Sequence, residues 1–177
     1  MSDTIKVNKA NTVILGLGMA TLISNTGKPC IEVGNVEGVR IAGILLQAGT
    51  HNTPSLLKWG SSKNPGSSEN PGVASDVFAR VGGRNNQYKE QQRADTMLEI
   101  NSGNVIIDNT WLWRADHAVG GRVSKSMNPV QHGVVVNGDN VIAYGLAVEH
   151  TLGHMTLWNG NHGLTIFYQS ELPYDVD

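Results

Sequence analysis

Leu98-Glu99-Ile100-Asn101, followed closely by Asn104-Val105-Ile106-Ile107, forms a short alternating segment, a tight polar turn and a second alternating segment. The same unit occurs earlier as Ile31-Glu32-Val33-Gly34 with Gly38-Val39-Arg40-Ile41, and further copies begin at residues 5, 134 and 156. Alternation of apolar and polar residues with a period of two is typical of a β-strand that has one buried face. The repeat therefore predicts an all-β chain built from strand-turn-strand units.

A unit this small cannot bury its apolar side chains alone, so the copies are expected to stack and share one core. Parallel strands joined by such coils are overwhelmingly right-handed because of strand twist. The sequence predicts a right-handed parallel β-helix of about five to seven coils, in one solenoid domain over residues 1–177. Short strands at regular spacing also allow an antiparallel sandwich, but copies in the same orientation favour parallel stacking.

The fourth residue of each copy marks a predicted corner. These residues are Asn8, Gly34, Asn101, Asn137 and Asn159. Asn and Gly tolerate the left-handed backbone that a sharp corner needs. We therefore expect a left-handed corner at this position, with the amides of stacked coils hydrogen bonded to one another.

Successive copies start 26, 67, 36 and 22 residues apart. Because about twenty residues complete one coil of such a repeat, the two long intervals predict loop insertions at about residues 50–95 and 118–131. Residues 61–72 of the first are rich in Ser, Asn, Pro and Gly, which is typical of a loop. Inserted loops on a rigid scaffold often have functional roles.

Composition excludes several classes of partner. Only 16% of the 177 residues are charged, and the net charge of -2 includes no basic block, so nucleic acid and membrane surfaces are not expected partners. Cys30 is the only cysteine and cannot form an internal disulfide. Residues 1–11 are polar, so we expect a soluble chain without an export signal, and its compartment stays open.

Several motifs resemble a group of bacterial and fungal β-helix proteins in the pectate-lyase-like superfamily. They are residues 13–22 (VILGLGMATL), 111–117 (WLWRADH), 145–150 (GLAVEH), 158–160 (WNG) and 167–175 (FYQSELPYD). The resemblance implies a right-handed β-helix and carbohydrate-active relatives. Members of the group are usually longer at both ends, so the resemblance also implies that this chain corresponds to an internal fragment.

Polar residues cluster directly after the second strand of successive copies. Stacked coils would place these strand ends roughly 5 to 10 Å apart, a range that suits the paired carboxylates of glycoside hydrolysis. The predicted catalytic residues are Asp116, His117, Glu149, His150 and Glu171. The predicted substrate-binding residues are Trp111, Trp113, Arg114, Trp158, Asn159, Tyr174 and Asp175.

These residues favour a carbohydrate-active hydrolase, in which carboxylates act as acid and base beside tryptophans that hold a sugar. Two alternatives stay open. The first is a hydrolase of small esters or lactones that uses a His-carboxylate pair or a cation to activate water. The second is a binding or structural solenoid whose carboxylates are tied up in ion pairs.

The spacing of histidines and cysteines predicts no transition-metal site, because the sequence has no His-x-His, His-Glu-x-x-His or Cys-x-x-Cys motif. Calcium could use oxygens of Asp139 or Asp175, although no loop has the spacing of a dedicated calcium cage. The expected partner is a carbohydrate or another small molecule. Because the end coils of a solenoid expose strand edges, we also expect a homo-oligomer formed through those ends.

Overall fold

A computed structural model of the chain describes residues 1–83, 91–118, 121–122 and 126–174. These residues contain β-strands and turns and no helix, and so no helix able to cross a membrane. The strands are β1 (Ile5–Val7), β2 (Val13–Ser24), β3 (Ile31–Val33), β4 (Arg40–Ala48), β5 (Thr53–Asn64), β6 (Gly72–Val81), β7 (Ala94–Ser102), β8 (Val105–Arg114), β9 (His117–Ala118), β10 (Gly121–Arg122), β11 (Val130–Val136), β12 (Ile142–Glu149), β13 (Thr156–Trp158) and β14 (Leu164–Glu171).

Twelve of these strands form two parallel six-stranded sheets. The first sheet has the order β1-β3-β5-β7-β11-β13 and the second the order β2-β4-β6-β8-β12-β14. Each coil adds one strand to each sheet, so the described part of the chain contains six stacked coils. The prediction of an all-β parallel β-helix is confirmed, and the sandwich alternative is wrong because neighbouring strands of both sheets run parallel.

The segment 50–95 is not simply an inserted loop, and that prediction is wrong for most of its length. Leu57, Lys58 and Trp59 in β5 pair with β3 on one side and β7 on the other, and β6 pairs with β4 and β8 in the same way. The sequence of this third coil departs from the repeat because a long turn, residues 65–71, separates its strands. In the second interval, β9 and β10 form an antiparallel pair outside both sheets.

The predicted amide ladder is present at the corner between the sheets. Asn159 Nδ2 donates to Asn137 Oδ1 and Asn137 Nδ2 donates to Asn101 Oδ1, each over 2.8 Å. Asn101 Nδ2 continues the ladder to the carbonyl of Gly60 over 3.1 Å. The amides are thus aligned along the stack, and they tie the last four coils to one another.

The left-handed backbone of this corner is not at the ladder position, so that part of the prediction is wrong. It occurs three or four residues later, just before the second strand, at Asn11, Gly38, Asn104, Asn140 and His162, with φ between 53° and 67°. The chain reverses there, while the ladder asparagines contribute their side chains to the stack.

A second column of left-handed residues runs across the middle of the second sheet. Its members are Met19, Gly43, Asp76, Asn109, Gly145 and Phe167, with φ between 51° and 67°. Each lies between two paired segments of its strand, so every strand of this sheet bends there. Ile107 and Thr110 are both buried, although strict alternation would place residues three positions apart on opposite faces. The bend at Asn109 therefore inserts one residue that belongs to neither face.

The core lies between the two sheets and consists of aliphatic columns that run along the stack. Ile31, Leu57, Leu98 and Val134 are aligned by pairing within the first sheet, and all four are fully buried. Full burial of such a side chain is worth roughly 1.5–3 kcal/mol. In the second sheet Leu112 pairs with Val148 and both point inward, which turns the side chains beside them toward solvent.

Candidate active site

The outer face of the second sheet carries one row of side chains that crosses several coils. Backbone pairing aligns its members, which are Gln47, Arg80, Trp113, Glu149 and Glu171. Neighbouring parallel strands lie about 4.8 Å apart, so residues far apart in the sequence become direct neighbours here. The row changes from polar residues at Gln47 to an aromatic ring at Trp113 and then to two carboxylates.

Four of the predicted catalytic residues meet where these strands end. His150 Nε2 lies 3.7 Å from Asp116 Oδ1 and 3.7 Å from Glu171 Oε2. Side-chain atoms of Glu149, His150 and Glu171 lie within 4.8 Å of one another. We call Asp116, Glu149, His150 and Glu171 the carboxylate cluster. The prediction that stacking would bring these residues together is confirmed.

His150 is the buried centre of the carboxylate cluster. His150 is only 2% exposed and has a left-handed backbone with φ of 62°. Nδ1 lies 2.9 Å from the carbonyl oxygen of Leu172, which can only accept a hydrogen bond, so Nδ1 carries the proton. This leaves Nε2 facing the carboxylates. Because the ring is shielded, we expect His150 to act on a bound molecule through Asp116 and Glu171.

Asp116 connects the cluster to the aromatic residues. Its Oδ1 accepts a hydrogen bond from Trp113 Nε1 over 3.3 Å and lies 2.9 Å from Nδ1 of His117, whose side chain is exposed. Burial raises the pKa of Asp116, but hydrogen bonds from His117 and its own backbone amide, with the charges of His150 and His117, outweigh it. The pKa of Asp116 therefore lies below its ordinary value, and the group is an ionised carboxylate near neutral pH.

An apolar groove of about 420 Å³ lies beside the carboxylates. Trp111 and Trp113 stack at its edge, with ring centroids 5.6 Å apart and an interplanar angle of 27°. The groove is lined by Met19, Leu45, Phe78, Ala79, Arg80, Trp111 and Trp113. Trp111 remains 43% exposed. Trp59 and Val81, from the coil before that of the tryptophan pair, belong to the main core and do not line the groove.

Sequence reasoning missed the far wall of this groove. Leu45, Phe78 and Arg80 were not selected because residues 50–95 were interpreted as an insertion, which hid the alignment of β4 and β6 with β8. Arg80 pairs in register with Trp113, and its Nε donates to the side-chain oxygen of Gln47. Recognition of the Leu57-Lys58-Trp59-Gly60 copy would have placed Arg80 beside Trp113.

The other predicted binding residues have different positions. Arg114 is fully buried and donates to the carbonyls of His150 and Met127, so the prediction that it binds substrate directly is wrong. Trp158 and Asn159 lie at the corner before β14, at the opposite end of the strands from Glu171, and the structure does not bring them to the cluster. Tyr174 contacts His150, with ring centroids 4.9 Å apart. Asp175 lies outside the described residues.

Asp139, which sequence analysis considered for calcium, lies at the distant corner between the sheets. Its Oδ1 accepts hydrogen bonds from the backbone N–H of Asn161 over 2.8 Å and from Lys63 Nζ over 2.9 Å. These two contacts hold the pKa of Asp139 below its ordinary value, and the hydrogen bond from the Asn161 backbone has the larger effect. The carboxylate therefore fixes the turn and the loop that carries Lys63.

The stacked coils, the outward tryptophans and the carboxylates at the strand ends define a β-helix protein of the pectate-lyase-like class. Residues 1–171 match the family model of the LAM55 pectate lyase-like domain, and the chain belongs to this family.

Proteins of known function and structure support this assignment. The chain is 45% identical over 177 residues to an exo-β-1,3-glucanase of Streptomyces sp. (strain SirexAA-E / ActE), matching 99% of this chain and 28% of that protein. Among solved structures, sacteLam55A of Streptomyces sp. SirexAA-E is 43% identical with a TM-score of 0.86 and covers 96% of this chain. A variant of sacteLam55A in complex with glucose also has a TM-score of 0.86, at 42% identity over 97% of this chain. The chain spans less than a third of the length of these relatives.

Proposed function

We propose that this chain forms part of a glycoside hydrolase that cleaves β-1,3-linked glucan. The observation that carries the proposal is the outward row in which Trp113 is followed by Glu149 and Glu171 on adjacent strands. Glycoside hydrolysis requires two carboxyl groups beside the scissile bond and a surface that holds the sugar. The relative named an exo-β-1,3-glucanase, at 45% identity, supports glucan as the substrate class.

The groove supports a sugar-binding role for the tryptophan pair. A glucose ring presents C–H groups on its faces and hydroxyl groups around its edge. The exposed face of Trp111 suits the C–H groups on the sugar face. The polar groups of Arg80 and the carboxylates suit the hydroxyl groups around the sugar edge. The glucan would lie along the stack, across the strands, with the bond to be cleaved beside the carboxylate cluster.

The carboxylates differ enough in environment to suggest separate roles. Asp116 is ionised near neutral pH, so it suits a base or a stabiliser of positive charge in the transition state. The side chain of Glu171 is 37% exposed against 13% for Asp116, and we assign proton donation to Glu171 with Glu149 as its neighbour on the outer row. Asp116 Oδ1 and Glu171 Oε2 each lie 3.7 Å from the same nitrogen of His150. Their separation is at most twice that distance, within reach of one glycosidic bond.

The test uses the purified 177-residue chain with a soluble β-1,3-glucan, measuring release of reducing sugar and binding by calorimetry. Asp116→Asn and Glu171→Gln should lower kcat by about 10²-fold or more, the usual contribution of an acid or base group. Trp111→Ala should raise KM by about tenfold with a smaller effect on kcat, because one aromatic contact contributes roughly 0.5–1.5 kcal/mol.

Glu99→Gln is the matched control, since Glu99 is a half-buried carboxylate on the first sheet, away from the groove. Its activity should equal that of the wild type. Equal activity in all four variants would remove the carboxylate cluster from the mechanism. A wild-type chain that neither binds nor cleaves the glucan would overturn the proposal for this chain.

We also propose that the chain self-associates through the ends of the stack. Among the described strands, β1 and β2 at one end and β13 and β14 at the other each pair on one side only. Leu15 and Leu17 are exposed at the first end and Leu164 at the other, so one end can receive the opposite end of a second copy. Light scattering should show concentration-dependent oligomers that Leu17→Lys reduces. A strict monomer at all concentrations would contradict this arrangement.

A further inference from the structure

We infer that the carboxylate cluster binds one divalent transition-metal cation of the Zn²⁺ class. The inference does not rest on glucan cleavage, because it concerns ligand geometry alone. Its starting point is His150, whose side chain is 3% exposed and whose Nε2 makes no hydrogen bond among the described residues. A buried imidazole nitrogen aimed at several carboxylates is an uncommon arrangement unless a proton or a metal ion lies between them.

The tautomer of His150 is the one that a metal ligand needs. Nδ1 donates to the carbonyl of Leu172 over 2.9 Å, so an ion that displaces any proton on Nε2 would meet a lone pair aimed at the cluster. Metal-bound histidines commonly donate their other ring N–H to a backbone carbonyl or a carboxylate in this way, and the contact fixes the ring orientation. Asp116 is held comparably, because His117 Nδ1 and Trp113 Nε1 contact the same oxygen.

The distances fit a coordination polyhedron better than a hydrogen bond. Nε2 lies 3.7 Å from an oxygen of Asp116 and 3.7 Å from an oxygen of Glu171, whereas an N–H···O hydrogen bond is about 2.7–3.2 Å long. Two ligands that each lie about 2.0–2.2 Å from a tetrahedral ion are about 3.3–3.6 Å apart. Glu149 adds a third oxygen, within 4.8 Å of His150 and Glu171.

Charge favours a cation at the same place. Glu149 and Glu171 bring two carboxylates close to His150, and Asp116 lies 3.7 Å from the same nitrogen, so like charges repel each other there. A bound dication would relieve that repulsion and take one nitrogen and two or three oxygens as ligands. Imidazole nitrogen favours zinc and its neighbours over calcium or magnesium, which prefer ligand sets made only of oxygen.

The test is calorimetric titration of the chain after EDTA treatment and dialysis, with ZnCl₂ and, separately, CaCl₂. We expect one zinc site per chain and no resolved calcium site. Glu171→Gln and Glu149→Gln should each weaken zinc binding by at least tenfold, with His150→Ala abolishing it. Circular dichroism of each variant checks folding, and the two Glu→Gln variants keep the test valid if His150→Ala does not fold.

The histidine pair His132 and His154, outside the carboxylate cluster, provides the matched control. The rings of His132 and His154 stack 5.4 Å apart, and His154 is exposed, so this pair is the main competing zinc ligand on the described surface. His154→Ala should leave zinc affinity unchanged. Zinc binding that is lost in His154→Ala but retained in Glu171→Gln, or the absence of zinc binding, would overturn the inference.

Zinc should also inhibit glucan cleavage, because the ion would occupy the carboxylates that the hydrolytic proposal needs. The two proposals fail separately. Zinc binding without any hydrolysis would support the metal site and remove the proposed reaction, whereas hydrolysis that zinc leaves unaffected would remove the metal site.

Discussion

Replacement of Asn137 by alanine removes the central one of the three amides in the ladder that ties four coils together. Asn137 accepts a hydrogen bond from Asn159 and donates one to Asn101, each 2.8 Å long. Asn101 is only 5% exposed, so its side-chain oxygen would lose its donor in a place with little access to water. Asn159 is exposed, so water can replace the contact on that side.

The magnitude follows from these contacts. Each lost hydrogen bond has a net worth of about 0.5–1.5 kcal/mol, and a buried group left without a partner costs about 1–3 kcal/mol. We expect Asn137→Ala to lower the free energy of unfolding by about 2–3 kcal/mol, whereas Asn159→Ala, which loses one exposed bond, should cost about 0.5–1 kcal/mol.

Urea unfolding followed by circular dichroism measures both variants, with midpoints and slopes compared to separate stability from changes in compactness. If Asn137→Ala and Asn159→Ala differ by less than about 0.5 kcal/mol, the uncertainty typical of such comparisons, the ladder does not contribute through burial as argued.

Three further predictions concern the core, the cysteine and the bend. Leu112→Ala should lower the free energy of unfolding in the same urea assay by about 2–5 kcal/mol, since Leu112 is fully buried beneath the tryptophan pair, and a loss below about 0.5 kcal/mol would contradict its place in the core. Cys30 is 1% exposed and burial raises the pKa of its thiol to about 11, so a thiol reagent at pH 8 should label it only after unfolding, and rapid labelling of the native chain would contradict its position. Gly145→Ala should destabilise the chain by about 1–2 kcal/mol because φ is 62° there, and a Cβ would meet only the backbone of Asn109 at 3.8 Å, an ordinary contact that leaves backbone strain as the main cause. An unchanged melting temperature would contradict the bend.

The repeat could be found from the sequence because strand alternation and turn composition are local properties. Five coils and the ladder from Asn101 to Asn159 follow from short segments that look alike. The third coil could not be found in this way, since its turn is long and its first strand continues to Asn64. The left-handed corner residues were misplaced because Asn serves both in amide ladders and in left-handed turns, and the sequence does not distinguish these roles.

The candidate site was predictable to the extent that it depends on register. Asp116, Glu149 and Glu171 follow equivalent strands, so stacking alone places them together. Arg114 and Trp158 were misassigned for two physical reasons. Arg114 points inward like Leu112, two positions earlier in the same strand. Trp158 lies at the corner of the coil that is farther from Glu171. The first follows from alternation once Leu112 is placed inward, whereas the second requires knowing which end of the strands carries the carboxylates.

The column of left-handed residues in the second sheet makes the effect of a single-residue deletion depend on its position. It inserts one extra position into each strand. The alternation of inward and outward side chains therefore restarts after that position instead of continuing through it. Deletion of Asn109 itself would remove the extra position, so Trp111 and Trp113 would stay outward and Leu112 inward, but β8 would lose the bend that β6 and β12 keep. Deletion of Thr110, just after the column, would instead send Trp111 and Trp113 toward the interior and Leu112 outward.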